Sequence, residues 1–288
     1  MPSEWTVVGD RRATLGEGPL WDERDHRLWW VDILGRTVFH LDAVTGASEA
    51  IDVPQEVGAL ALRAAGGLVA AGRDGFAGLS ADGRWEMLAP VEADRPDLRM
   101  NDGRVDPRGR FWASTMSFDE TPGSGTLYRL DPDLSVHPQW RGLTIGNGVD
   151  WSPDGRWMYF VETSKSCVFV APFDVDAGTL GPRSALIDLT PALPDGLCVD
   201  AAGDLWVGIW DGGAVRCFDA AGAFRREIRL PVARVTSCAF GGPGLDELFV
   251  TTASVGLTGT ALTEQPLAGA LFRCQVDAVG RAQHRFAG

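Results

Sequence analysis

The chain contains only two asparagines, Asn101 and Asn147, and both open segments of one design. Asn101 begins NDGRVDPRGRFWASTM and Asn147 begins NGVDWSPDGRWMYFVET; Asp195 begins DGLCVDAAGDLWVGIW and Glu17 begins EGPLWDERDHRLWWVDI. Each has a polar head, a short apolar stretch, a polar turn and an aromatic-rich strand. From Asn101 to Gly109, Asn147 to Gly155 and Asp195 to Gly203 is eight residues, and Glu17 plus eight falls on Asp25 in the turn DERDH. Asn-Gly and Asn-Asp-Gly are ordinary turn formers, but turn chemistry does not explain why a glutamate, an asparagine and an aspartate share a register. Carboxylate and amide oxygens converging from separate segments suit a hard divalent cation such as Ca²⁺, Mg²⁺ or Mn²⁺, with Zn²⁺ borderline. With Glu17, Asn147 and Asp195 as the protein ligands, positions stay open for water and substrate, as catalysis needs. Arg99 precedes Asn101 by two, so on an extended strand both point to one side, and its guanidinium offers a fork to a carbonyl or hydroxyl.

The elements that must position these residues form a repeat. Weaker copies begin at Gly58 and Thr236, and the turn residues 25, 66, 109, 155, 203 and 244 are separated by 41, 43, 46, 48 and 41. Between the copies lie alternating pieces such as RTVFHLDAVTG, GTLYRLDPD and GAVRCFDAAG, which end in Asp/Gly turns as antiparallel strands do. Six units of about four strands predict an all-β chain, a six-bladed β-propeller occupying residues 1–288 as one domain; a pair of β-sandwiches is the structural alternative. The segment Trp5–Leu15 is expected to supply the outer strand of the last blade, closing the ring. The heads Glu17, Gly58, Asn101, Asn147, Asp195 and Thr236 would then ring one mouth of the central channel. The tryptophans at strand positions are expected to pack between blades, with Trp210, just before the loop DGG, the one candidate for ligand stacking. His26, His40, His137 and His284 show no ligand spacing and are expected on the surface or in turns.

These motifs resemble the gluconolactonase/regucalcin family, in four ordered stretches: LGEGPLW at 15–21, RMNDGRVDPRGRFWASTM at 99–116, NGVDWSPDG at 147–155 and PDGLCVD at 194–200. The resemblance implies a six-bladed propeller, a metal held by Glu17, Asn147 and Asp195, and substrate contacts from Arg99 and Asn101. The family often carries a substrate-binding acid after Thr-Met; in STMSFDETPGSG that implies Asp119, with Glu120 the alternative. The implied activity is opening of a sugar (aldono)lactone to the sugar acid. One divalent ion (Ca, Zn, Mg, Mn or Fe) would polarise the carbonyl, with Asp195 as base. A calcium-binding propeller without catalysis, a broader esterase or organophosphate hydrolase, and a metal-free scaffold are the competing readings.

Composition narrows the field. Lys and Arg number 26 against 39 Asp and Glu, a net charge of −13, which disfavours nucleic acid and anionic membranes as partners. No apolar run is long enough to span a bilayer. The first ten residues lack a basic patch before an apolar run, so no export signal is expected and the expected location is cytoplasmic. Five cysteines without a CxxC pair fit buried, reduced thiols. No GxSxG elbow, GxGxxG or Walker loop is present.

Overall fold

In the computed structural model, which describes residues 5–288, the strands form six antiparallel sheets arranged as the blades of a propeller. Blade 1 runs from its inner strand Gly16–Asp22 through Arg27–Asp32 and Thr37–Asp42 to Ser48–Asp52. The inner strands of blades 2 to 6 are Val57–Leu62, Leu98–Val105, Gly146–Trp151, Leu193–Val199 and Val235–Gly241. Each inner strand packs on the next, and that of blade 6 returns to that of blade 1. The outer strand of blade 6 is Trp5–Val8, paired antiparallel with Leu271–Gln275, so the two ends of the chain share one sheet and no blade is left open there. The one α-helix among the described residues is the short Thr260–Glu264. No helix there is long and apolar enough to cross a membrane.

In blades 3 and 5 the motif after the head is a packing device. Asp106 accepts hydrogen bonds from the backbone of Arg108 and Arg110 and from Trp112 Nε1 at 2.9 Å. Asp200 repeats this with Ala202, Asp204 and Trp206 Nε1 at 3.0 Å. One carboxylate thus closes the turn and satisfies an indole N–H that would otherwise be stranded in the core. Trp21, Trp112, Trp151 and Trp206 are fully buried, as blade packing requires, whereas Trp157 lies half in solvent. All five cysteines are buried and unpaired. His40 departs from expectation: it is buried in blade 1 with its ring 4.6 Å from that of Trp29.

The C-terminal segment crosses the end of the channel away from the heads. Arg281 donates to Asp150 Oδ1 and Trp151 O at 3.1 and 2.8 Å, Phe286 N to Leu62 O at 2.8 Å and Ala287 N to Gly109 O at 3.0 Å. Phe286 itself is wholly buried between blades 2 and 3, among Val69, Phe76 and Phe111. Phe286→Ala is expected to lower the unfolding free energy by about 3–5 kcal/mol, measured by urea titration; a loss under about 1 kcal/mol would remove the tail from the structural core.

Candidate functional site

All six inner strands break register at the same place. Pairing jumps between Glu17 and Leu20, Val57 and Ala59, Met100 and Gly103, Gly146 and Val149, Pro194 and Leu197, and Val235 and Cys238. Each jump inserts one extra residue, a β-bulge, which bends the strand and re-aims side chains. Asn101, Asn147, Asp195 and Thr236 all fall in these breaks. Two glycines show how tightly the strands meet: a Cβ on Gly58 would lie 1.9 Å from Asn101 O, and one on Gly148 would lie 2.3 Å from Leu197 N. The blade 2 head is glycine because the blade 3 backbone occupies the space a side chain would need.

The register of Glu17 needs correction. The turn residue with left-handed backbone in blade 1 is His26 (φ 51), not Asp25, matching Gly109 (φ 79), Gly155 (φ 69) and Gly203 (φ 93). Counting back eight places Gly18 in the head slot, one residue after Glu17. Glu17 is the last paired residue before the bulge, and its longer side chain still brings the carboxylate into the same opening.

Glu17, Arg99, Asn101, Asn147 and Asp195 line one cleft of about 670 Å³. A chain of hydrogen bonds fixes the amides across blades 3, 4 and 5. Arg99 Nη1 donates to Asn101 Oδ1 at 2.7 Å; Asn101 Nδ2 donates to Gly146 O at 2.9 Å and Asn147 Oδ1 at 3.0 Å. Asn147 Nδ2 donates to Thr163 Oγ1 at 2.9 Å, and that hydroxyl donates to Pro194 O at 2.7 Å, next to Asp195. Both Asn101 amide hydrogens are therefore used, and its Oδ1, like that of Asn147, keeps a second lone pair.

The two carboxylates are in the opposite condition. Both are buried. Glu17 accepts one backbone hydrogen bond, from Gly18, and Asp195 accepts none among the described residues. Burial, then the Asp195 and Asp102 charges, hold the Glu17 carboxyl well above its ordinary range. Burial, then Asp102, does the same to Asp195, with Arg99 opposing. Asp102, the second residue freed by the blade 3 bulge, faces deeper into the channel beside Gly18, Ser237 and His284, and burial pushes its carboxyl up to about 6. Arg99 is also buried, its pKa drawn down to about 10 by desolvation. A surplus of buried acid over one arginine, beside a fixed amide oxygen, fits a hard divalent cation. Glu17, Asn147 and Asp195 are the residues that could hold one.

The structure separates the two acids after Thr-Met. Asp119 is turned away from the cleft, its carboxylate accepting from Thr121 Oγ1 at 2.7 Å and from Thr121 N, while Glu120 lines the cleft and lies close enough to act on the Arg99 charge. The local cause is a turn: Glu120 adopts left-handed backbone (φ 56), and Asp119 caps that turn. Thr163 and the cleft wall around Phe118 and Leu193 were not singled out from the sequence. Thr163 follows the second strand of blade 4, where no repeat position points to it. Trp210 does reach the cleft.

A family model described as "SMP-30/Gluconolactonase/LRE-like region" matches residues 15–254. The chain belongs to this family. It is 38% identical over 279 residues to regucalcin of Gallus gallus, covering 92% of each chain. It superposes on the structure of a calcium-binding protein, regucalcin, from Agrobacterium tumefaciens with a TM-score of 0.96 and 30% identity, covering 100% of this chain and 98% of that one. A gluconolactonase structure from Xanthomonas campestris matches with a TM-score of 0.76 and 25% identity, covering 95% and 89%.

The buried carboxylates make a pH prediction for the protein kept free of metal by chelator. A carboxyl whose folded pKa is raised binds more protons folded than unfolded, so its stability contribution is full below the unfolded pKa and is lost as pH rises. Asp195→Asn is therefore expected to melt above the wild type at about pH 8 and to lose that advantage toward about pH 4. A constant difference across that range would show that Asp195 is not held protonated by its surroundings.

Proposed function

We propose that the protein is a metal-dependent hydrolase that opens a sugar (aldono)lactone to the sugar acid. The observation that carries this reading is the pair of buried carboxylates at the floor of an open cleft, with a fixed asparagine oxygen and a buried arginine beside them. The family membership and the gluconolactonase neighbour support it. A divalent ion held by Glu17, Asn147 and Asp195 would polarise the lactone carbonyl when bound.

The protein's own groups do the rest. Arg99, fixed against Asn101 Oδ1 and Met100 O, keeps further N–H donors for the substrate carbonyl or a ring hydroxyl. The free lone pair of Asn101 Oδ1 accepts from a second hydroxyl, and Glu120, rather than Asp119, is the acid placed to accept another. Asp195 takes a proton from the attacking water as it adds to the acyl carbon. The ring C–O bond then breaks and the ring oxygen leaves as a hydroxyl.

The calcium-binding reading draws on the name of the Agrobacterium relative. Arg99, Asn101 and Glu120 beside the acids favour catalysis, because an ion buffer has no need of an open, substrate-sized cleft above its ligands. The test is hydrolysis of an aldonolactone panel by the metal-reloaded protein. Asp195→Ala is expected to lower kcat by at least about 10²-fold without loss of the folded far-UV spectrum, and chelator to abolish wild-type turnover. Calcium binding with no turnover on any lactone would establish the non-catalytic reading instead.

A further inference from the structure

The cleft joins two chemistries. Its floor is ionic and amide; its walls, although Glu120 and Arg234 reach them, carry several large apolar side chains. Leu34, Phe118 and Leu193 are 40%, 44% and 36% exposed, and all three converge on this one opening, together with Trp210 and Val255. A single exposed leucine is ordinary, whereas several large apolar side chains around one opening mark a binding surface. They come from separate parts of the ring: Leu34 follows the second strand of blade 1, Phe118 that of blade 3, and Leu193 starts the inner strand of blade 5. Two of the rings are braced. The guanidinium of Arg234, held by Asp211 at 3.0 Å, lies 4.9 Å from the Trp210 ring centre, and that of Arg99 lies 5.9 Å from that of Phe118. The space is of a size that encloses most of a drug-sized molecule, more than a single sugar ring fills. Hydroxyls lifted against the Leu34, Phe118, Leu193 and Trp210 faces would lose water without finding partners there.

We propose that the site also hydrolyses lactones that carry an apolar alkyl or aryl arm. The lactone carbonyl sits over Glu17, Asn147 and Asp195 and the arm rises between Phe118 and Leu193 toward Trp210. This rests on the hydrolase reading and extends its substrate class. The chemistry is unchanged: the water oxygen bonds to the acyl carbon, the ring C–O bond breaks, one proton goes to the leaving ring oxygen and the other is released as the acid ionises.

The test is kcat/KM of the metal-loaded protein on γ-lactones of increasing alkyl arm, with an aldonolactone alongside. The wild type is expected to gain about twofold per methylene, half the free energy of full burial because the wall covers one side of the arm. Leu193→Ala combined with Trp210→Ala should reduce that gain to nearly none. Phe224→Ala, an exposed aromatic on an outer strand away from the cleft, should keep it. A flat series with the aldonolactone still hydrolysed would overturn the proposal and leave the hydrolase reading standing; no turnover of any lactone would end both. A wild-type dimer in sedimentation that the Leu193/Trp210 double variant dissociates would assign the apolar rim to a second copy and overturn the proposal.

Discussion

One extra residue in the inner strand of every blade is the constraint from which the site follows. An antiparallel ladder alternates its side chains between faces, and in a closed ring of blades both faces of an inner strand are covered by neighbouring blades. Polar side chains there have nowhere to go unless the ladder breaks. The six register shifts supply that break at one level of the ring, and they free Asn101, Asn147 and Asp195 to line the cleft, while Thr236, in the equivalent slot of blade 6, is wholly buried with its hydroxyl on Gly16 O. Glycines such as Gly58 and Gly148 let the strands approach closely enough for those groups to meet. The fold does not merely carry the site; its repeated irregularity makes it.

What meets there is electrostatically unbalanced by design of placement. Glu17, Asp195 and Asp102 are buried within one another's fields, with Arg99 as the nearest opposing charge on the cleft side. Deeper in the channel, Arg104 and Arg281 pair with Asp150, at 3.5 and 3.1 Å, and Arg104 also opposes the charge of Asp102; Arg99 is the opposing charge for Asp195 and Glu17. The amide chain from Arg99 to Pro194 is neutral apart from its first member and holds the donors in place without supplying the missing charge. On the proposed reading, the cost of desolvating these carboxylates would be offset by a bound cation.

Much of this was legible in the chain because the repeat is spelled in residue types. The head-to-turn spacing of eight residues gave the blades, and the two lone asparagines in equivalent slots marked the channel mouth. Legibility ended where backbone geometry departs from that spelling. Glu17 sits one place off the shared register because His26, not a glycine, takes the left-handed turn position. Asp119 and Glu120 are adjacent acids of similar chemistry, and only the turn conformation at Glu120 decides which faces the cleft. His40 looked like a surface residue because an isolated histidine carries no period, yet it packs on Trp29. The apolar rim was invisible for a plainer reason: it is assembled from loop ends of different blades, which no repeat frame brings together.

The central claim is that Glu17, Asn147 and Asp195 grip one divalent ion, and isothermal calorimetry of the metal-free protein with Ca²⁺ or Mn²⁺ alone addresses it most directly. The account predicts one ion per chain, bound with release of protons from the raised carboxyls so that the heat varies with buffer ionisation enthalpy, and binding lost in Glu17→Gln and Asp195→Asn. Undiminished binding in both variants, or no binding by the wild type, would contradict it.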